Sequence, residues 1–359
     1  MKKSEIRALV CALVFLSGCA GTPPADTREA EAVAAANAAL GAMNGQPLWV
    51  NTPEAVYPRN AFVSAVGSGN NRDQAEKSAF AALSSVFRQT LRADQTIATS
   101  FQEAVKNGAA ASWIENTSVD SAIRTSTSMD LVGAEIREVW SDGKIFYAVA
   151  VMEKAGTAPV YTRMIQDNQK IIDTLIAVPA SDRNSMDSLA RFQFAATLAE
   201  LNKVFANVLS VIGAPVPAGL KAPEDFRLEA ANIMKTIPVS VTVQNDRDGR
   251  IRAAFTSALS AAGFRAGDTN SRYQLQARLS FTEVQLPGQT NKFTRYVIDG
   301  NFTNTSTGAV LFPYNINGRE GHITLPEAEN RAVKAAEDKI KGEYPGALTS
   351  FLFRLVPKK

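Results

Sequence analysis

Hydrophobic and polar positions along this chain fall into blocks that switch between the two-residue period of strands and the 3.6-residue period of helices. Phe62 to Val66 is an apolar run. Gly67-Ser68-Gly69 then gives the backbone room to turn, and Asn71 with Gln74 three residues on fits a helix start. Ala75, Ala79, Leu83, Val86 and Phe87 share one helical face. The stretch predicts a strand, a tight turn and a helix. Further on, Asp142-Gly143 is a tight-turn pair between two apolar runs and predicts a β-hairpin. Ile145, Tyr147, Val149 and Val151 alternate as one face of its second strand, and the other face, Phe146, Ala148, Ala150 and Met152, is apolar as well. Such a strand is central and covered on both sides. Two helices are predicted next, from about Pro159 to Val178 and from about Ser185 to Ile212, with Ser181-Asp182 starting the second. Phe194, Leu198, Leu201, Phe205, Val208 and Ile212 repeat at alternating four and three, a heptad-like seam. An antiparallel hairpin packed on the first unit accounts for it; a dimer seam is the alternative.

The stretch GAPVPAGLKAP, residues 213–223, reads as a linker. Beyond it Val239, Val241 and Val243 alternate with polar partners, and Asp248-Gly249 leads into a helix capped by Asp248. That helix carries Ile251, Phe255, Leu259 and Ala262 and is stopped by Gly263. Tyr273, Leu275, Ala277, Leu279 and Phe281 alternate with polar residues, so one face of this sheet meets water. Two more strands fit Tyr296–Phe302 and Ala309–Tyr314. Thr324 and Glu327 are spaced as a capping box around Pro326, ahead of an alanine-rich helix to about Lys341 and a last helix after Pro345.

The start of the chain changes the picture more than any later element. Lys2, Lys3 and Arg7 precede an apolar stretch from Ala8 to Leu16, too short to span a bilayer and ordered like an export signal. It ends in Leu16-Ser17-Gly18-Cys19, which resembles a bacterial lipobox. That resemblance implies cleavage before Cys19, diacylglycerol on its sulfur and an N-acyl group, palmitate for example, on the new amine. Ala20 follows where an aspartate would resemble an inner-membrane retention signal, so the outer membrane is expected, with the protein facing the periplasm. The expected fold is α+β: a lipoprotein signal over 1–18, a tether over 19–45, an α/β domain over 46–155, a helical hairpin over 156–212, a linker over 213–235 and a second α/β domain over 236–359.

Of the 359 residues 45% are apolar and 20% charged, as in ordinary globular chains. The net charge is +3, and the signal segment carries two of those three charges. The remainder gives no electrostatic footprint for nucleic acid. Cys11 leaves with the signal, so the mature chain holds no free thiol and no disulfide once Cys19 is acylated.

From Pro47-Leu48-Trp49-Val50, through AFVSAVGSG and its alanine-rich helix, to IFYAVAVMEK, the chain resembles the Lpp-twenty family of bacterial lipoproteins, a family related to the N-terminal domain of a flagellar H-ring protein. The likeness covers about Pro47 to Ile212. It implies an α/β domain of an envelope lipoprotein, and no catalytic residue travels with it. In element order the second unit resembles the small α/β domains of periplasmic lipoproteins that activate wall synthases.

Little catalytic chemistry is legible. His322 is the chain's one histidine, in NGREGHIT, and no G-x-S-x-G elbow is present. With one histidine and an acylated cysteine, Cys/His zinc sites and thiol catalysis are not expected, nor any cofactor beyond the lipid on Cys19. His322 reads as a surface-turn residue, and Arg319 and Glu320 beside it could form a partner-binding corner. VGSGNNR could cradle phosphate, but Arg72 stands where the dinucleotide fingerprint needs its third glycine. NDRDGR, residues 245–250, lacks the ligand spacing of a calcium loop. Glu135 and Glu138 flank a strand without suggesting a glycosidase pair. The expectation is a non-catalytic outer-membrane lipoprotein held to the membrane by its lipid and binding an envelope protein. A peptidoglycan-binding or wall-enzyme-activating lipoprotein is the alternative, and an envelope hydrolase a weaker one.

Overall fold

The computed structural model describes residues 45–87 and 131–356. The signal segment, the lipobox residues Leu16, Ser17, Gly18 and Cys19, and the tether up to residue 44 lie outside them. Strands β1 (Phe62–Gly69), β2 (Ala134–Ser141) and β3 (Phe146–Glu153) form an antiparallel sheet in the order β1-β3-β2. The strand that is apolar on both faces is therefore the central one. On one side Ala148, Ala150 and Met152 meet helix α1 (Arg72–Phe87) through Ala75, Ala79, Leu83 and Phe87. Val86, expected on that face, is 48% exposed. On the other side Val149 and Val151 pack with Trp49, Val56 and Tyr57.

The start of α1 is built as read, but Gly67-Ser68-Gly69, expected as the turn, continues β1 and pairs with Ala148, Tyr147 and Phe146. Gln74 N donates to Asn71 Oδ1 at 2.9 Å, and Gln74 Oε1 accepts from Asn70 N at 3.0 Å. A Cβ at Gly67 would overlap the backbone of Ser78 and Ala79, so this glycine is required where helix and strand backbones touch. The hairpin turn is held by Asp142 Oδ1, which accepts from Lys144 N and Ile145 N at 2.8 Å, with Gly143 at φ +90°. The bonds from Ile145 and Lys144 keep the Asp142 carboxyl below the usual range.

Helix α2 (Lys154–Ile176) follows β3 directly, so Pro159 falls inside it and not at its start. Burial of Tyr161, Met164 and Ile165 carries the helix past the bond that the proline ring removes. Helix α3 (Met186–Val211) is capped by Ser185, whose Oγ accepts from Ser188 N at 3.2 Å; Ser181 and Asp182 instead belong to a short 3-10 turn, Ala180–Asp182. The heptad seam of α3 is buried, and so are Leu189, Ala190, Phe192 and Ala196 on its other sides. A helix that is apolar nearly all round belongs in the middle of a core. Here α3 packs on α2, on helix α4 (Pro223–Thr236) and on helix α6 (Leu325–Arg354). One hydrophobic cluster runs from Ala75 to Val356, so the hairpin serves both units and does not pack on the first alone.

Helix α4 corrects the expected 213–235 linker, of which only residues 213–222 are without helix or strand. Pro223 fits the first helical position, Glu224 and Asp225 fill the first turn, and Phe226, Ala230 and Ile233 are buried.

The second sheet has the order β5-β4-β6-β7-β8, from β4 (Pro238–Gln244), β5 (Arg265–Ala266), β6 (Tyr273–Val284), β7 (Lys292–Asn304) and β8 (Ala309–His322). β4 runs parallel to β5 and β6; β6, β7 and β8 are antiparallel. The last two strands are longer than their apolar patterns suggested, because their outer halves carry polar and glycine residues. Helices α5 (Arg250–Ala261) and α6 cover one face. There Tyr344 meets Phe255, Phe312 and Tyr314 edge-on or tilted, and Phe312 stacks on Phe351 at 5.2 Å. The two expected C-terminal helices are one, with Pro345 inside, because Ile340, Tyr344, Leu348 and Phe351 continue a single buried stripe across it. The other face is exposed and polar: Gln276, Arg278, Arg295, Asp299, Asn301, Asn315, Asn317 and Arg319. Among the described residues no helix is long and apolar enough to cross a membrane.

Candidate functional site

Two places in the second unit gather polar side chains. The first is a cleft of about 640 Å³ at the carboxyl end of β4, lined by Asn245, Asp246, Asp248, Arg250, Phe281 and Glu329 among others. Parallel strands open towards ligands at such ends, and the helices that follow point amide donors there. In this protein two of those donors are already used. Asp246 accepts from Ile251 N at 3.3 Å and from Arg252 N at 2.8 Å, so it caps α5. The sequence pointed to Asp248 as the cap. Gly249, at φ +69°, turns the chain back so that the earlier aspartate reaches the helix end. Asn245, at φ +64°, is held by a 3.2 Å bond from its Nδ2 to the Leu279 carbonyl. Arg250 clamps Glu337 with two bonds of 2.9 and 3.0 Å, tying α5 to α6, and this bonding raises the guanidinium pKa. Asp246, Arg250 and Glu337 are therefore engaged in holding helices. Among the described residues no three His, Cys, Asp or Glu side chains are grouped to hold a metal ion.

The second place is the outer end of the β7–β8 hairpin. Arg319, Glu320 and His322 lie in strand β8 and not in a turn, so successive side chains face opposite ways. Arg319 points to the open face, with its guanidinium 5.8 Å from the centre of the Phe293 ring. Glu320 and His322 fall on the other face, where His322 Nδ1 accepts from Thr324 N at 3.4 Å. The proposed corner is thus divided between two surfaces. Thr324 occupies the N-cap position of α6 without a side-chain cap bond, so the expected capping box with Glu327 is not formed. Glu327 instead accepts from Asn330 at 3.4 Å.

The residue that joins Arg319 on the open face is Arg295, its direct partner in the β7–β8 ladder. Sequence reading missed it for a definite reason. From the turn pair Asn304↔Ala309, uninterrupted pairing would put Arg295 opposite Gly318. A bulge between Phe302 and Thr303 shifts the register by one residue and brings the two arginines together. No local pattern in either strand announces that shift.

In the first unit, Glu138 has a structural task. Its carboxylate accepts from Trp49 Nε1 at 2.9 Å and from the Tyr57 hydroxyl at 2.7 Å. The tryptophan of the opening P-x-W-V motif is thereby locked onto the sheet.

The fold defined here is α+β, two sheets packed against helices. Among solved structures, a minor lipoprotein from Acinetobacter baumannii matches at 14% identity, over 32% of this chain and 92% of its own, with a TM-score of 0.27. A secreted protein from Helicobacter pylori matches at 14% identity over 79% of this chain and 98% of its own, with a TM-score of 0.41. The PelC dodecamer from Paraburkholderia phytofirmans matches at 15% identity, over 33% and 87%, with a TM-score of 0.22. No protein-family model and no curated protein matches the chain.

Proposed function

We propose that this protein is a lipid-anchored, non-catalytic component of a bacterial outer membrane that binds another constituent of the envelope. The observation that carries this reading is Leu16-Ser17-Gly18-Cys19 at the end of a short apolar stretch behind Lys2, Lys3 and Arg7. Acyl chains contribute about 0.8 kcal/mol per buried methylene, so two or three of them give stable anchoring where one is marginal. The engagement of Asp246, Arg250 and Glu337 in helix contacts supports binding over catalysis. Cys19→Ser tests the anchor. The variant is expected in the soluble periplasmic fraction or as an uncleaved precursor; a cleaved variant recovered unchanged with the outer membrane would refute the reading. In-cell crosslinking then identifies the bound component. Peptidoglycan is the second reading, favoured by the exposed row of amide and arginine side chains on the second sheet.

A further inference from the structure

Like charges placed directly opposite each other on a sheet face repel, and a ladder position offers many cheaper residues. Arg295 and Arg319 occupy such a pair, both exposed. Their neighbours along and across the strands on that face are Phe293, Val297, Asn317, Gly321 and Thr282, none of them charged. Neither arginine makes an ion pair with any described residue. The position is also built. A Cβ at Gly321 would come within 2.5 Å of the Phe293 ring, so the glycine lets that ring lie flat on the edge strand. The ring in turn backs the Arg319 guanidinium from one side. An anion seated between the two guanidinium groups would convert the repulsion into paired, charge-assisted hydrogen bonds.

We propose that Arg295 and Arg319, side by side on the open face of the second sheet, bind the free carboxylates of acidic peptides in the cell wall. This rests on the envelope reading above. Its polar surroundings favour a wall peptide over a lipid surface. On β6 to β8 the face carries Arg278, Arg295 and Arg319 against Asp299, and Arg265 stands apart on β5 at the opposite edge, whereas anionic membranes recruit clusters of roughly four to eight basic residues. Amides at Gln276, Asn301, Asn315 and Asn317 offer both donors and acceptors, which suit a peptide backbone or an acetamido sugar better than acyl chains.

The test is co-sedimentation of the full mature chain, in detergent, with purified sacculi. R295Q/R319Q is expected to weaken binding about tenfold, while R252Q/R331Q, which removes the same charge from helical positions, leaves it unchanged. Sacculi whose carboxylates have been amidated should lose the native chain to the same degree. The melting temperature of R295Q/R319Q should stay close to that of the native chain, since relief of the repulsion offsets the lost contact of Arg319 with the Phe293 ring. Native-level binding by R295Q/R319Q, or indifference to amidation, would overturn the proposal. So would arginine-dependent binding to phosphatidylglycerol vesicles in place of sacculi. An unmodified Cys19 would sink the anchor reading and leave these binding results standing, so the two failures are distinguishable.

Discussion

Glu138 sits at a register irregularity in β2 and serves two donors from a segment about 85 residues earlier in the chain. Trp49 is fully buried, and burial, with the bond to Glu138, pushes the Tyr57 hydroxyl well above the usual range. Removing the acceptor leaves two part-buried donors without a partner, each costing about 1–3 kcal/mol. Glu138→Ala is therefore expected to destabilise the chain by about 2 kcal/mol in urea unfolding. Glu138→Gln, which keeps an acceptor oxygen, should cost less than half as much. Equal losses for the two variants would contradict this role. The sequence displayed Trp49 as part of a motif and Glu138 as an acid beside a strand. Nothing in either pattern joined them, because the link is tertiary.

Helix ends show the same division between what is local and what is not. The Asn71–Gln74 cap of α1 is a contact between near neighbours and was legible. The cap of α5 depends on the left-handed Gly249 and was assigned to the wrong aspartate. Asp246→Ala is expected to cost about 1 kcal/mol, and Asp248→Ala less than about 0.5 kcal/mol, by the shift in urea midpoint. A larger loss for Asp248→Ala would reverse the assignment. Helix α4 was hidden behind two prolines that read as linker, although Phe226, Ala230 and Ile233 keep a helical spacing. The bulge at Phe302 shows the limit from the other side. Strand alternation gave the two faces of β6 correctly, yet one inserted residue decided which side chains of β8 join β7 on the open face.

At the scale of the molecule, two sheets with helices were foreseeable from the blocks of periodicity. The continuous core was not, because the six-residue seam has a legible period whereas burial of the apolar residues on the other sides of α3 depends on its packing against α4 and α6. That core also fixes the response to alkali. Burial, followed by the charge of Glu343, raises the Tyr314 hydroxyl to about 12, and burial raises Tyr161 and Tyr344 further. These groups keep their protons in the folded state when the unfolded chain has lost them, near pH 10. Their contribution is complete below about pH 10 and falls as pH rises towards 12. Urea midpoints should therefore drop across that window. Tyr344→Phe removes a hydroxyl with no partner among the described residues, so it should be near neutral at pH 7 and flatten the drop. A midpoint independent of pH in this window would contradict the account.

The central claim is that the polypeptide is held to a bilayer through Cys19, and mass spectrometry of the N-terminal peptide from the producing bacterium tests it most directly. The account predicts a chain that begins at Cys19 and carries a thioether-linked diacylglyceryl group with an acylated amine. A mature chain that begins elsewhere, or an unmodified Cys19, would contradict it.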